Sequence, residues 1–296
     1  MRVVVNGASG WLGQSTGHVL SQSKLVLNSN DLLLFGSKDR IAKFGIWEAV
    51  PQFSLHKEYR IFGDYDLFVQ LSFKTRDYFE ILGEEKYVKI NRDIIQKSIE
   101  LLINSKPKYV VLVSSGAVTQ YLELNRENPQ NTYAKLKLEE EESFIRTCSK
   151  LGSELLILRL WSASGADMPN PKKYAIGNLI FQSLYSPQIK VNSPNFIFRR
   201  YIDSRNQMEI AIRGCINFGG RILNSGGFLI EIGELALRIR DLLSPTKTIL
   251  RDQESNLPAD SYFSTDTDSA DLARILGIPI LSINNQIRHT AEAFKI

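Results

Sequence analysis

Residues 3–13, VVVNGASGWLG, decide how the rest of this chain reads. Three β-branched residues, Val3, Val4 and Val5, run into a glycine, and residues 11–20 then carry apolar side chains on one face at helical spacing. That is a strand, a glycine turn and a helix. Gly7, Gly10 and Gly13 recur every third position across the turn. Backbone amides and the helix N-terminus can therefore face a pyrophosphate with no Cβ in the way. The turn, with Ser9, Trp11 and Leu12 between its glycines, is the expected binding surface for a dinucleotide. Glycines kept for packing alone are the plainer alternative, and their place at the first strand, where such sites are built, counts against it.

Outward from this unit, residues 32–35, 66–71 (DLFVQL), 109–113 (YVVLV) and 154–160 (ELLILRL) are short, near-continuous apolar runs. That is the pattern of strands covered on both faces. Residues 91–103 and 133–149 have helical spacing, as do residues 231–243 and 269–276, the last ended by Gly277 and Pro279. Strands alternating with helices predict right-handed crossovers and an α/β fold, a Rossmann-type doubly wound parallel sheet over residues 1–160. After Trp161 the segment SASGADMPNPKK is rich in turn-formers and short mixed elements follow. Residues 161–296 are expected to form a smaller, mainly substrate-binding region, with segments returning to the sheet.

Composition sets the outer bounds. With 43% hydrophobic and 23% charged residues in 296, the chain has ample material for a core. Its 36 Lys and Arg against 32 Asp and Glu leave a charge of only +4, interspersed except for the acidic run at residues 139–142. That argues against a nucleic-acid partner. Two cysteines, Cys148 and Cys215, have neither disulfide-framework nor metal-ligand spacing, so no metal is expected and a reducing, cytoplasmic setting fits. No apolar run approaches the roughly 18 residues of a membrane span, so no membrane partner is expected.

Cofactor choice turns on the end of the second strand, where an acidic group suits the ribose hydroxyls of NAD and basic groups suit the 2′-phosphate of NADP. The exit reads Gly36, Ser37, Lys38, Asp39, Arg40. A hydroxyl with Lys38 and Arg40 favours NADP within an NAD(P) site. A solvated loop without ligand contact is the alternative, and Asp31 or Asp39 would favour NAD under another strand boundary.

The run YVVLV ends in Ser114, Ser115 and Gly116, and Tyr133 and Lys137 follow as Y-x-x-x-K. Residues four apart share a helix face, so the ammonium can lie beside the phenol, favour its ionised form and lower a pKa of about 10. A serine at a strand end can bond the same substrate oxygen. A solvated helix face is the alternative, and the glycine turn upstream weighs against it.

With these residues the sequence resembles the extended short-chain dehydrogenase/reductase superfamily, within it the NAD-dependent epimerase/dehydratase family that acts largely on nucleotide sugars. The likeness spans nearly the whole chain. It rests on NGASGWLG, on Asn91 opening a helix, on VSSGAV and YAKLK, and then on GNLIFQSL, RRYID, ELALRIRDLL and DLARILGIP in order. The resemblance implies Tyr133 as acid/base, Lys137 holding the ribose hydroxyls, and Ser115 orienting the substrate. It also implies Asn178 at the substrate diphosphate, Arg199 at the nucleotide phosphate or ribose, and a homodimer formed through the helix that bears Tyr133.

Departures narrow the chemistry. Gly116 and Ala117 stand where the family's sugar dehydratases carry an Asp-Glu pair, and Ser72 and Phe73 replace small alanines on the nicotinamide side. The expectation is a nucleotide-sugar epimerase or 4-keto reductase rather than a dehydratase. The alternative from another class is a non-catalytic dinucleotide-binding redox sensor or scaffold.

Overall fold

All four residues of β1 (Val3–Asn6) are buried, as a strand must be when its sheet is covered on both faces. The computed structural model describes residues 1–57, 63–124, 131–251 and 257–294. After β1 come α1 (Trp11–Gln22), β2 (Leu32–Gly36), β3 (Arg40–Phe44), β4 (Trp47–Ser54), β5 (Leu67–Gln70), a short α2 (Phe79–Leu82) and α3 (Glu84–Ser105). Then follow β6 (Tyr109–Ser115), α4 (Gly116–Leu124), α5 (Thr132–Leu151) and β7 (Glu154–Leu160). With Met208–Leu223, the residues Met1–Leu160 form one compact unit, and Trp161–Gln207 with Asn224–Ile296 form the other.

The chain continues through β8 (Ser162–Ser164), α6 (Ala175–Tyr185), β9 (Ile189–Lys190) and β10 (Ile197–Asp203). Helix α7 (Ser204–Phe218) and β11 (Arg221–Asn224) supply the segment that belongs to the first unit. Completing the second unit are β12 (Phe228–Glu231), α8 (Ile232–Leu243), β13 (Ile249–Leu250), β14 (Asp260–Tyr262), α9 (Asp268–Leu276) and α10 (Ile283–Ala291).

The first unit is built on an eight-stranded sheet in the order β11-β7-β6-β5-β1-β2-β4-β3. Its centre is parallel: Val3 lies opposite both Leu32 of β2 and Leu67 of β5. This is the α/β, Rossmann-type architecture expected. One crossing departs from it, because the chain reaches β4 through the antiparallel edge strand β3, with Arg40 opposite Gln52, in place of a helix. Val4, Phe35, Phe68, Val110, Leu112 and Ile157 point to one sheet face and pack against Ile94, Leu101 and Leu102 of α3 and Phe144 of α5.

Residues 116–124 form α4, directly after β6; residues 125–130 of the same connection lie outside the described residues. Helix α3 opens at Glu84, so Asn91 sits well inside it and does not start it. Cys148 and Cys215 are buried and unbridged. Burial pushes their thiols up to about 12 and about 11, so neither is a nucleophile near neutral pH. No helix among the described residues is long and apolar enough to cross a membrane.

The second unit holds a four-stranded sheet in which β10 pairs with β12, β14 and β8, and a two-stranded sheet of β9 and β13. Within it His289 Nδ1 lies 2.5 Å from a carboxylate oxygen of the buried Asp203. The hydrogen bond to Asp203 raises the imidazole above its ordinary value, against the effect of burial. A raised folded-state value stabilises the fold fully below the unfolded value of about 6.5, and the gain is lost as pH rises through the folded value. The difference in melting temperature between wild type and His289→Gln should therefore be larger at about pH 5.5 than at about pH 9. A difference independent of pH would show that the pair adds nothing by its charge.

Candidate functional site

The glycines of the first turn do not all have the same physical job. Gly7 has φ +99°, and a Cβ there would come within 2.8 Å of the backbone of Leu71 and Ser72 at the end of β5. At Gly13 a Cβ would meet the carbonyl oxygen of Ala8 at 2.3 Å. Gly10 is unlike both: its φ of −80° is ordinary, and an added Cβ would meet only the Gly7 carbonyl oxygen, at 3.4 Å. The outer two glycines thus serve close packing, and the middle one faces open space.

The turn is held from β2. Gly7 N and Ala8 N both donate to the Phe35 carbonyl, at 2.9 and 3.1 Å, and Gly10 N donates to Gly7 O at 3.1 Å. Gln14 Nε2 donates to Ala8 O at 3.0 Å. Helix α1 has Gly10 as its N-cap and no side-chain cap. Its first turn, Trp11 to Gly13, is the end where backbone amides lack intrahelical acceptors and the helix dipole is positive. Ser9 and Gly10 are exposed there, and Trp11 and Leu12 half-buried.

Ser37, Lys38, Asp39 and Arg40 are all exposed at the exit of β2. Asp39 accepts from Ser54 N at 2.6 Å and pairs with Lys57, so its carboxylate ties this exit to the end of β4. Asp31 lies in the turn before β2. Since Val3 pairs with Leu32 and Asn6 with Phe35, that is the opposite end of the strand from the glycine turn.

Ser115 closes β6 and Tyr133 stands in the first turn of α5. A side-chain hydrogen bond joins them. Lys137 is one turn further along α5 and buried. Its ammonium donates to Val113 O at 3.1 Å and to Glu140 Oε2 at 2.8 Å, and lies 4.0 Å from the centre of the Phe73 ring. Phe73 also meets Tyr133 edge-on, at 5.8 Å between ring centres. The segment bearing Phe73 is pinned by Asn91, whose side chain accepts from Lys74 N at 2.8 Å.

The expected electrostatics are corrected by this arrangement. A lysine beside the phenol was expected to lower its pKa, yet burial raises Tyr133, and Glu140 adds to the rise while Ser115 and Arg76 oppose it. Burial is the main cause, and the ammonium that was expected to oppose it lies against Glu140, whose own carboxyl burial raises while Lys137 and Gln70 oppose the rise. Glu140 is itself fully buried, and its other oxygen accepts from Gln70 Nε2 at 3.0 Å. Gln70 Oε1 accepts from Asn6 Nδ2 at 2.8 Å, and Asn6 Oδ1 accepts from Ser72 Oγ at 2.8 Å.

Glu140, Gln70 and Asn6 are the residues that the motifs did not flag. A signal was present: residues 133, 137, 140, 141, 144 and 148 recur at the spacing of one helix face, and Lys137, Glu140, Glu141, Phe144 and Cys148 are all buried. Glu141 on that face takes Arg159 through two hydrogen bonds, of 3.1 and 2.7 Å, and Ser114 Oγ at 2.5 Å.

Asn178 and Arg199 belong to the second unit, on α6 and β10. Asn178 donates to Lys172 O at 3.1 Å and accepts from Gln182 at 2.6 Å. Arg199 pairs with both carboxylate oxygens of Asp260, at 3.2 and 2.9 Å. Trp161 donates through Nε1 to Asn224 at 2.9 Å and packs on Tyr262.

No family model matches the chain, and no curated protein matches it in sequence. Solved structures do match. The Bordetella bronchiseptica enzyme WbmF in complex with NADH aligns with a TM-score of 0.78 at 18% identity, over 99% of this chain and 91% of that one. The chain shares this fold. TunA, an NAD-dependent NDP-hexosamine 5,6-dehydratase involved in tunicamycin biosynthesis, aligns at 0.76 and 18% identity over 100% and 98%. A UDP-N-acetylglucosamine 4-epimerase from Methanobrevibacter ruminantium M1, in complex with UDP-N-acetylmuramic acid, aligns at 0.74 and 18% over 99% and 98%.

The contrast among the glycines gives a direct test. Gly10→Val should melt within a few degrees of wild type, because its backbone is extended and its Cβ direction is open. Gly13→Val should lose several kcal/mol or fail to fold, because backbone must move to admit it. Equal losses in the two variants, measured by thermal unfolding, would contradict the division of roles.

Proposed function

We propose that this chain is an NAD(P)-dependent enzyme of the extended short-chain dehydrogenase type that acts on a nucleotide-activated sugar, as an epimerase or 4-keto reductase. The observation that carries the proposal is the Ser115–Tyr133 hydrogen bond, with Lys137 one turn along the same helix. It stands in the unit whose glycine turn presents an uncapped helix end. A bound nicotinamide would supply or accept hydride at the sugar carbon. Tyr133 then exchanges a proton with the sugar oxygen, and Ser115 orients that oxygen. Lys137 would hold the nicotinamide ribose, and residues 7–13 the pyrophosphate.

Support for a sugar nucleotide comes from the shared fold, since aligned proteins include an NDP-hexosamine dehydratase and a UDP-sugar epimerase. Gly116 and Ala117 after Ser115 bring no acid or base for loss of water, which favours epimerase or reductase over dehydratase. Asn178 is assigned to the substrate diphosphate and Arg199 to the nucleotide. A homodimer through α3 and α5 fits the exposed Ile103 and Ile145 on those helices.

For the cofactor, exposed Lys38 and Arg40 support NADP, and Asp39 is already engaged by Ser54 and Lys57. Against this, the aligned WbmF holds NADH. Lys38→Glu with Arg40→Glu should weaken NADPH far more than NADH, and equal losses in a fluorescence titration would remove the preference. For the reaction itself, Tyr133→Phe removes the transferable proton with little change in volume. Turnover of a 4-keto sugar nucleotide should fall by roughly 10²- to 10⁴-fold with dinucleotide affinity nearly unchanged. Near wild-type turnover in that variant would refute the assignment.

A further inference from the structure

Three groups meet the ammonium of Lys137: the Val113 carbonyl, the Glu140 carboxylate and the face of the Phe73 ring. A buried ammonium stripped of water keeps its charge only with such partners. Glu140 is buried completely, and Gln70 and Lys137 take one carboxylate oxygen each. Gln70 is in turn held by Asn6, the residue next to Gly7, so the carboxylate is fixed from the sheet as well as from its own helix.

We propose that Glu140 is a positioning residue of the reaction: by cancelling the charge of Lys137 it keeps the resting Tyr133 a proton donor, which suits the site to carbonyl reduction. This rests on the reading of Tyr133 as the acid/base. Reduction of a carbonyl takes a hydride to carbon and one proton to oxygen. A reduced nicotinamide, when bound, would supply the hydride and be oxidised; the phenol Oη donates the proton, and the phenolate left behind regains a proton from solvent. Oxidation of an alcohol, the first step of an epimerase, needs the reverse, a phenolate at rest.

The charged and polar groups around the phenol agree on this. On α5 itself, Lys137 and Glu140 are in contact; burial and Glu141 raise the Glu140 carboxyl, and the bonds from Lys137 and Gln70 favour its charged form. From β6 comes the neutral Ser115, and from the segment after β5 the apolar ring of Phe73. Tyr87 of α3 is a second phenol, raised well above its ordinary value mainly by burial, and so is neutral. Among the described residues, Arg76 is the other cation that acts on the phenol, and it is exposed, where solvent weakens its pull.

The test is the ionisation of Tyr133 in the full chain, followed by NMR of tyrosines labelled at the ring carbon that bears oxygen. Tyr133→Phe identifies the signal, and neither cofactor nor substrate is added. Wild-type Tyr133 should stay un-ionised past about pH 10. Glu140→Gln should lower its ionisation by about one pH unit or more, because Lys137 then acts uncompensated. Glu140→Asp, which retains the charge, should restore the wild-type behaviour. If Glu140→Gln does not fold, Lys137→Met with Glu140→Leu replaces the buried pair by apolar groups, a change such sites often tolerate. In that variant Tyr133 should titrate as in wild type, since a cancelled pair has no net effect. An unchanged ionisation in Glu140→Gln overturns the proposal, as does a shift of about one unit in either direction in the double variant. Because no sugar is involved, a wrong assignment of substrate leaves these outcomes intact.

Discussion

The contact on which the rest depends is that of Gly7 with the backbone of Leu71 and Ser72. β1 and β5 are paired along their whole length, and the chain leaving β1 must turn at once across the top of β5. Only a residue without a side chain fits there, and at φ +99° only glycine is unstrained. Phe35, at the end of β2, takes both amides that follow, so the turn is anchored on the two strands flanking β1. The start of α1 is thereby aimed above the carboxyl ends of the strands, where ligands bind in open α/β sheets.

A second constraint runs beneath it, through polar groups buried in an otherwise apolar sheet. Asn6, Gln70, Ser72 and Ser98 bond one another and hold Glu140, which holds Lys137. Buried polar groups tolerate no missing member, since removing one charge of a buried pair costs on the order of 3–5 kcal/mol. The network joins the residue before the glycine turn to the helix carrying Tyr133. It gives the turn and the Ser115–Tyr133 pair a common frame.

The central sheet was legible in the sequence because its strands are continuous apolar runs: VVVN, LFVQ and YVVLVSS have almost no exposed residue. The edge was not. Residues 40–54 alternate between exposed and buried positions and contain Pro51, which gives no helical or continuous-strand signal, yet they form β3 and β4. Helix α4 was missed because nine residues directly after a strand leave no loop to mark a boundary. Glu140 was hidden in a run of four glutamates, which reads as a solvated face. Glu139 and Glu142 are on that face, and Glu140 and Glu141 are buried behind it.

What would tie the two constraints to a function is the proposed binding of a dinucleotide in the open volume over Gly10. The most direct measurement is calorimetric titration of NADH and NADPH into folded wild-type protein and folded Gly10→Val. Saturable binding of one dinucleotide per chain to wild type, lost in the variant, is the predicted result. Binding of equal strength in both proteins, or none in either, would contradict it.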